Sequence, residues 1–289
     1  MNRTELILRT ESVLLRRFDH PPDEAHADPE RESSAQHSIS FVEAGSFDVE
    51  LEGTSRTFAP GSIFVTTGGM EFACGHDREV PTDRCLSVAF SEEAVDALLT
   101  AGLPPLRPPH APVTNRQRYL RHRLISCGPG QGIRLELVAA ALFQSLGGDD
   151  AAGRTAVTLD TTDAMRRIER ATALIESDFA RDLTLRELAA AANQSPFHFA
   201  RTFRALTGMP PHRYLTAVRL RHAAQMLEQG ASVTSSCYAV GFATLSHFVT
   251  SFRRRFGIVP SAARHGVGAR QLRAALAEPV WGRKAGVRG

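Results

Sequence analysis

The chain has 289 residues, 43% of them apolar and 22% charged, and a formal net charge of +3. That is enough apolar material for two cored domains, while nowhere does the chain stay apolar for the ~18 residues that a membrane span requires. The small net charge conceals a segregation: residues 1–162 carry 15 basic against 23 acidic side chains, residues 163–265 carry 14 against 7, and residues 266–289 carry 5 against 1. A basic C-terminal half behind an acidic N-terminal half is the pattern of a nucleic-acid module attached to something else.

In chain order, residues 1–90 read as short strands. The segments 39–42, 47–51, 56–58, 63–65, 72–74 and 86–90 follow one another at roughly the 8–12-residue interval of a β-barrel or sandwich. Gly45, Gly53, Pro60-Gly61 and Gly68-Gly69 punctuate them as turns. The polar stretch 19–36 is expected to be a long loop or arm. A barrel interior lined by Phe47, Val49, Leu51, Ile63 and Val65 would suit an apolar ligand or form a filled core.

From Ser91 the pattern turns helical, with acids in the first turn of 91–100, where they suit the positive helix end. A proline-rich break at 103–112 precedes helical spacing at 116–126 and 133–146. The latter has a wide apolar face that includes Leu135, Val138 and Leu142, open to two readings, core packing or a dimer seam. Residues 147–163 are small, polar and glycine-containing, the composition of an interdomain linker.

An amphipathic helix over 164–179 carries Met165, Ile168, Ala171 and Ile175 on one side. Thr184 and Glu187 then form a capping box, Ser195 caps the next helix with Pro196 in its first turn, and Gly208 stops it. Phe199, Phe203 and Leu206 make the buried stripe of that helix. About fifty residues on the scheme repeats over 232–264, with Phe248, Phe252 and Phe256 buried and Ser246, Val249, Thr250 and Arg253 on the opposite face. Between the two lies 211–229, a helix of roughly 28 Å at 1.5 Å per residue, comparable with one DNA turn of ~34 Å.

Residues 165–265, in the runs SPFHFARTFRALTGMPPHRYL, RLRHAAQML and AVGFATLSHFVTSFRRRFGIVP, resemble the DNA-binding domain of the AraC/XylS transcriptional regulators. The strand-rich N-terminal part resembles, more distantly, the cupin-like sensor domains found ahead of it. The resemblance implies an α+β multidomain protein: a β-barrel-like sensor domain at 1–90, a helical dimerisation segment at 91–146, a linker at 147–163, an all-α domain with two helix-turn-helix units at 164–265, and a basic tail at 266–289. It places base-facing positions on Phe197, Ala200 and Arg201 in the first unit, with Arg204 near phosphate, and on Leu245, Ser246, Val249 and Thr250 in the second, with Arg253 on the same face. Ser235 departs from the pattern, standing where the family usually has a glutamate to complete the cap at Ser232.

The function so implied is that of a sequence-specific transcription regulator that binds two adjacent half-sites in the major groove of double-stranded DNA. Its further partners would be RNA polymerase, an unidentified small-molecule effector and a second copy of the chain. A cupin-type metalloenzyme carrying a DNA module is the alternative. It would need histidines at HxH spacing with further ligands, and no HxH occurs; Cys74, His76 and Cys85 form the one cluster to weigh. No catalytic residue, metal or cofactor is therefore expected. Four cysteines at neither disulfide nor CxxC spacing, together with an N-terminus unlike a secretory leader, point to the bacterial cytoplasm and its nucleoid.

Overall fold

The structure, a computed structural model, describes residues 3–20, 30–76, 83–107, 112–147 and 161–264. The chain folds as two compact units, Met1–Asp149 and Asp150–Gly289. Sheets lie in the first and helices make up the second.

The first unit is built on two antiparallel sheets. One has the order β1 (Arg3–Arg9), β2 (Val13–His20), β9 (Asp83–Phe90), β4 (His37–Ala44) and β7 (Ile63–Thr66); the other runs β3 (Glu30–Ser33), β8 (Glu71–His76), β5 (Phe47–Leu51) and β6 (Thr54–Phe58). They face each other across a core of Val42, Phe47, Val49, Phe58, Phe64, Phe72, Cys74 and Cys85. Four phenylalanines fill its middle: the Phe64 ring centroid lies 5.8 Å from Phe47, 5.1 Å from Phe58 and 5.4 Å from Phe72.

Side chains alternate across a strand, so Phe64 facing this core turns Ile63 and Val65 to the other side of their sheet. The single interior expected for Phe47, Val49, Leu51, Ile63 and Val65 is thus two separate layers. On the second layer Phe90 meets Phe143 edge-to-face at 5.5 Å, which seats α3 (Gly132–Gly147) on the sheet. Leu135, Val138 and Leu142 are at most 1% exposed within the single chain. These three side chains are therefore packed inside the chain, as the core-packing reading has them.

Three strands lie outside the sequence-based expectation. In β1 and β2 the apolar rhythm is broken by charges, of which Arg17 is paired across strands: it donates to Glu5 and to Glu43, each at 2.9 Å, and Arg121 of α2 (Asn115–Ile125) also donates to Glu43. Glu30–Ser33, within the expected polar arm, pairs with β8 through its backbone; residues 21–29 of that arm lie outside the described residues. Ser91 caps α1 (Glu92–Thr100) by accepting from the Ala94 N–H.

In the second unit, α4 (Thr161–Asp178) begins inside the expected linker and buries Met165, Ile168, Ala171 and Ile175. A pair of helices follows, α5 (Leu185–Ala191) and α6 (Pro196–Thr207). Then come α7 (Pro211–Glu228), a second pair, α8 (Val233–Ala239) and α9 (Leu245–Phe256), and a short 3-10 turn at Ala262–Arg264. The 18 residues of α7 span roughly 27 Å. The expected basic tail at 266–289 lies outside the described residues.

Candidate nucleic-acid interface

The helices α6 and α9 are the same piece of local chemistry used twice. Each has 12 residues. Each starts from a hydroxyl cap, Ser195 accepting from the His198 N–H and Thr244 from the His247 N–H, both at 3.4 Å. Each ends on a left-handed glycine, Gly208 or Gly257, whose N–H returns to the carbonyl of Arg204 or Arg253. Counted from the caps, Phe199 matches Phe248, Thr202 matches Ser251, and Phe203 matches Phe252; all six are buried.

Burial of that stripe leaves the opposite face to solvent. Phe197 is 80% exposed and Leu245 38% exposed, and Arg201, Arg204, Ser246, Thr250 and Arg253 are all exposed. Ala200 is half-buried, and so is Val249, which packs against the core cluster of Phe242, Phe248 and Phe252. Val249 therefore offers an edge to the surface rather than a whole side chain. The two faces carry matched positions: Phe197 with Ser246, Ala200 with Val249, Arg201 with Thr250, and Arg204 with Arg253.

The electrostatics of both helices are one-signed. Neither contains an acidic residue, and the last turn of α9 holds Arg253, Arg254 and Arg255. The positive ends of the helix dipoles add to this at their N-termini. Two exposed histidines, His198 and His247, fall at the third position of each helix and are absent from the sequence-derived set. Their identical offset from the two caps was the available signal.

The turns differ by one residue. Asn193, at φ +51°, stands two residues before the Ser195 cap, whereas Gly241, at φ +84°, stands three before the Thr244 cap. Arginines of α4 reach the end of α5, Arg170 donating to the Ala191 carbonyl at 3.0 Å and Arg167 to that of Asn193 at 3.1 Å, which fixes the first pair against α4. At the start of α5 the Thr184–Glu187 capping box is complete, and α8 has only the Ser232 half, accepting from the Ser235 N–H at 3.0 Å.

As for metal chemistry, among the described residues no group of three His, Cys, Asp or Glu side chains is placed to hold an ion. Cys74 and Cys85 are buried in the sheet-to-sheet core, and burial, with Asp83 beside it, pushes the Cys85 thiol well above its usual range; the side chain of His76 lies outside the described residues. Among the described residues no helix is long and apolar enough to cross a membrane.

Two capped helix pairs, each with a cationic, acid-free second helix, have the form expected of helix-turn-helix units. Residues 188–266 match the helix-turn-helix domain family. The chain is 32% identical over 114 residues to the HTH-type transcriptional activator RhaS of Klebsiella pneumoniae (strain 342), covering 39% of this chain and 41% of that protein. It is 35% identical over 117 residues to the bifunctional transcriptional activator/DNA repair enzyme Ada of Escherichia coli (strain K12), covering 40% of this chain and 32% of that one. Among solved structures it is similar to a probable AraC family transcriptional regulator from Rhodopseudomonas palustris CGA009, at 29% identity over 34% of this chain and 94% of that one, with a TM-score of 0.33. The chain thus spans less than half the length of these curated relatives, and its matched region is a helix-turn-helix domain within the C-terminal unit.

Proposed function

We propose that the chain is a sequence-specific DNA-binding transcription regulator whose α5–α6 and α8–α9 pairs are two readers, each laying its second helix in the major groove. The observation that carries this is the matched construction of α6 and α9, equal in length, cap, buried stripe and glycine stop, with every exposed charge cationic. A merely structural pair of helices has no reason to keep both outer faces free of acids.

Arg201 is the base reader of the first helix, since its fork can pair with guanine O6 and N7, with Phe197 and Ala200 beside it. Arg204 and Arg253 meet phosphate. On the second helix Leu245, Ser246 and Thr250 supply apolar and hydroxyl contacts, with the edge of Val249. The sheet-bearing unit, with its own core and acidic balance, is the cupin-like regulatory domain, acting through dimerisation, through an effector, or both. RNA polymerase is the further partner that a regulator of transcription requires, and the cytoplasm is where it would work.

The test is the salt dependence of binding to duplex DNA. Neutralising about four phosphates should make affinity fall about a hundredfold between 50 and 200 mM salt, because condensed counterions are released on binding. A folded chain that binds no duplex at low salt would end this reading.

A further inference from the structure

A close contact in the C-terminal unit lies away from the exposed faces, where α4 ends. The chain leaves α4 at Asp178 and reaches the Thr184 cap through residues 179–183. Carbonyls at a helix exit lack intrahelical donors, and here two of them are taken by one side chain from the middle of α7. Arg219 donates from Nε to the Phe179 carbonyl at 2.7 Å and from Nη2 to the Arg181 carbonyl at 2.9 Å. The Phe179 ring stacks on His222 of the same helix at 3.9 Å, with planes 8° apart, and also packs against the core of the second helix pair.

Between those two gripped carbonyls stands that of Ala180, and it faces the second pair directly. A Cβ placed on Gly241 would lie 2.3 Å from the Ala180 oxygen, 2.9 Å from its carbonyl carbon and 3.2 Å from Cζ of Arg219. This explains a difference between the two turns. Asparagine is among the non-glycine residues that best tolerate a left-handed backbone, and Asn193 serves in the first turn at φ +51°. In the second turn the space a side chain would need is occupied by the loop, so only glycine fits.

One short loop that joins α4 to the first helix pair is thus held by the spacer helix and seated against the turn of the second pair. A spacer helix alone fixes distance, and the pairs at its ends could still pivot about it. A planar guanidinium bonded to two backbone carbonyls removes that freedom, as a single ammonium group cannot.

We propose that Arg219 is a positioning residue that, through the loop 179–181 and Gly241, fixes the offset between α6 and α9 and thereby the half-site spacing that the protein accepts on DNA. This rests on the reading of α6 and α9 as two DNA readers.

The experiment uses the full chain and a duplex selected from random-sequence DNA by the unsubstituted protein, then remade with one base pair inserted or deleted between the two half-sites. One base pair turns the second half-site by roughly 34° about the DNA axis and moves it by ~3.4 Å. With fixed geometry, simultaneous engagement is lost when the spacing is wrong, and affinity should fall on the order of tenfold or more for the unsubstituted chain. Arg219→Ala and Arg219→Lys, both without the fork, should bind the original duplex more weakly yet hold the altered duplexes to within about threefold of it, since a loosened tether accepts several spacings. Gly241→Ala, which drives the loop and turn apart, should move or flatten the same profile. Far-UV circular dichroism identifies the folded variants; if Arg219→Ala is not among them, the other two decide.

Folded variants that keep the spacing profile of the unsubstituted chain overturn the proposal and leave the two-reader interpretation standing. A chain that binds no duplex at low salt, or binds through a single half-site at every spacing, removes that interpretation and the proposal with it.

Discussion

Thr184 and Glu187 each satisfy the other's backbone. The Thr184 N–H donates to the Glu187 carboxylate at 2.8 Å, and the Glu187 N–H donates to the Thr184 hydroxyl at 3.2 Å. Arg181 adds a bond at 2.7 Å to the other carboxylate oxygen, and these partners, Arg181 first, hold the Glu187 carboxyl down to about 2. A carboxyl whose folded pKa is depressed stabilises above its unfolded value and loses that contribution as pH falls through the folded one. Amide protection in α5 should accordingly stay level above about pH 4.5 and decline toward pH 2. Glu187→Gln should lack that decline, measured by hydrogen exchange across the same range. A decline of equal size in both proteins would show that the box does not couple to pH.

The second helix pair has only half of this device. Ser232 accepts from the Ser235 N–H, and Ser235 is too short to return the bond to the Ser232 N–H. Ser235→Glu supplies the missing arm at an exposed position and should stabilise the second unit by about 0.5–1 kcal/mol. Urea unfolding of the substituted and unsubstituted chains checks this, and an unchanged or lowered midpoint would count against it.

What could be read from the sequence follows the range over which each signal acts. Caps, glycine stops and the i, i+4 phenylalanine stripes are local, so Ser195, Gly208, Phe199 and Phe248 stand where periodicity and capping place them. β1 and β2 were illegible because their stabilising contacts are cross-strand: Arg17 breaks the apolar alternation in its own strand and is paired by Glu5 and Glu43, 12 and 26 residues away. The division of Phe64 from Ile63 and Val65 was available from the pleat, yet which face held which layer depends on α3. The Arg219 clasp had no signature at all. It joins a side chain to backbone carbonyls 38 and 40 residues distant, and backbone acceptors leave no mark in residue type.

Arg201 and Arg204 are both exposed on α6, three residues apart, and their roles should separate by experiment. Arg201→Ala should cost about 1–3 kcal/mol on the selected duplex and relax preference at one base pair. Arg204→Ala should weaken specific and random duplexes alike and lower the salt slope by about one. Base-by-base substitution of the duplex, titrated against each variant, makes the comparison. Equal losses on specific and random DNA for both would show that Arg201 reads no base.

The two compact units each have their own aromatic core, and this sets an expectation for unfolding. Phe64, 7% exposed, touches three other rings between the sheets, while Phe252, fully buried, lies 5.6 Å from Phe248 and 4.6 Å from Phe256 in the helical unit. Truncating either ring to alanine removes its apolar surface from the core and leaves a cavity that neighbouring rings cannot fill, a loss of about 3–5 kcal/mol for the unit concerned. Because the apolar contacts of each ring stay inside one unit, denaturant unfolding followed by hydrogen exchange with mass spectrometry should resolve two transitions. Phe64→Ala should lower the midpoint for β4, β5 and β7 and leave that for α6 and α9 in place, with DNA affinity retained. Phe252→Ala should do the reverse and abolish binding by the second helix pair. If both substitutions move all of these segments together, the chain unfolds as one cooperative body, and the separate action assigned to its two units is wrong.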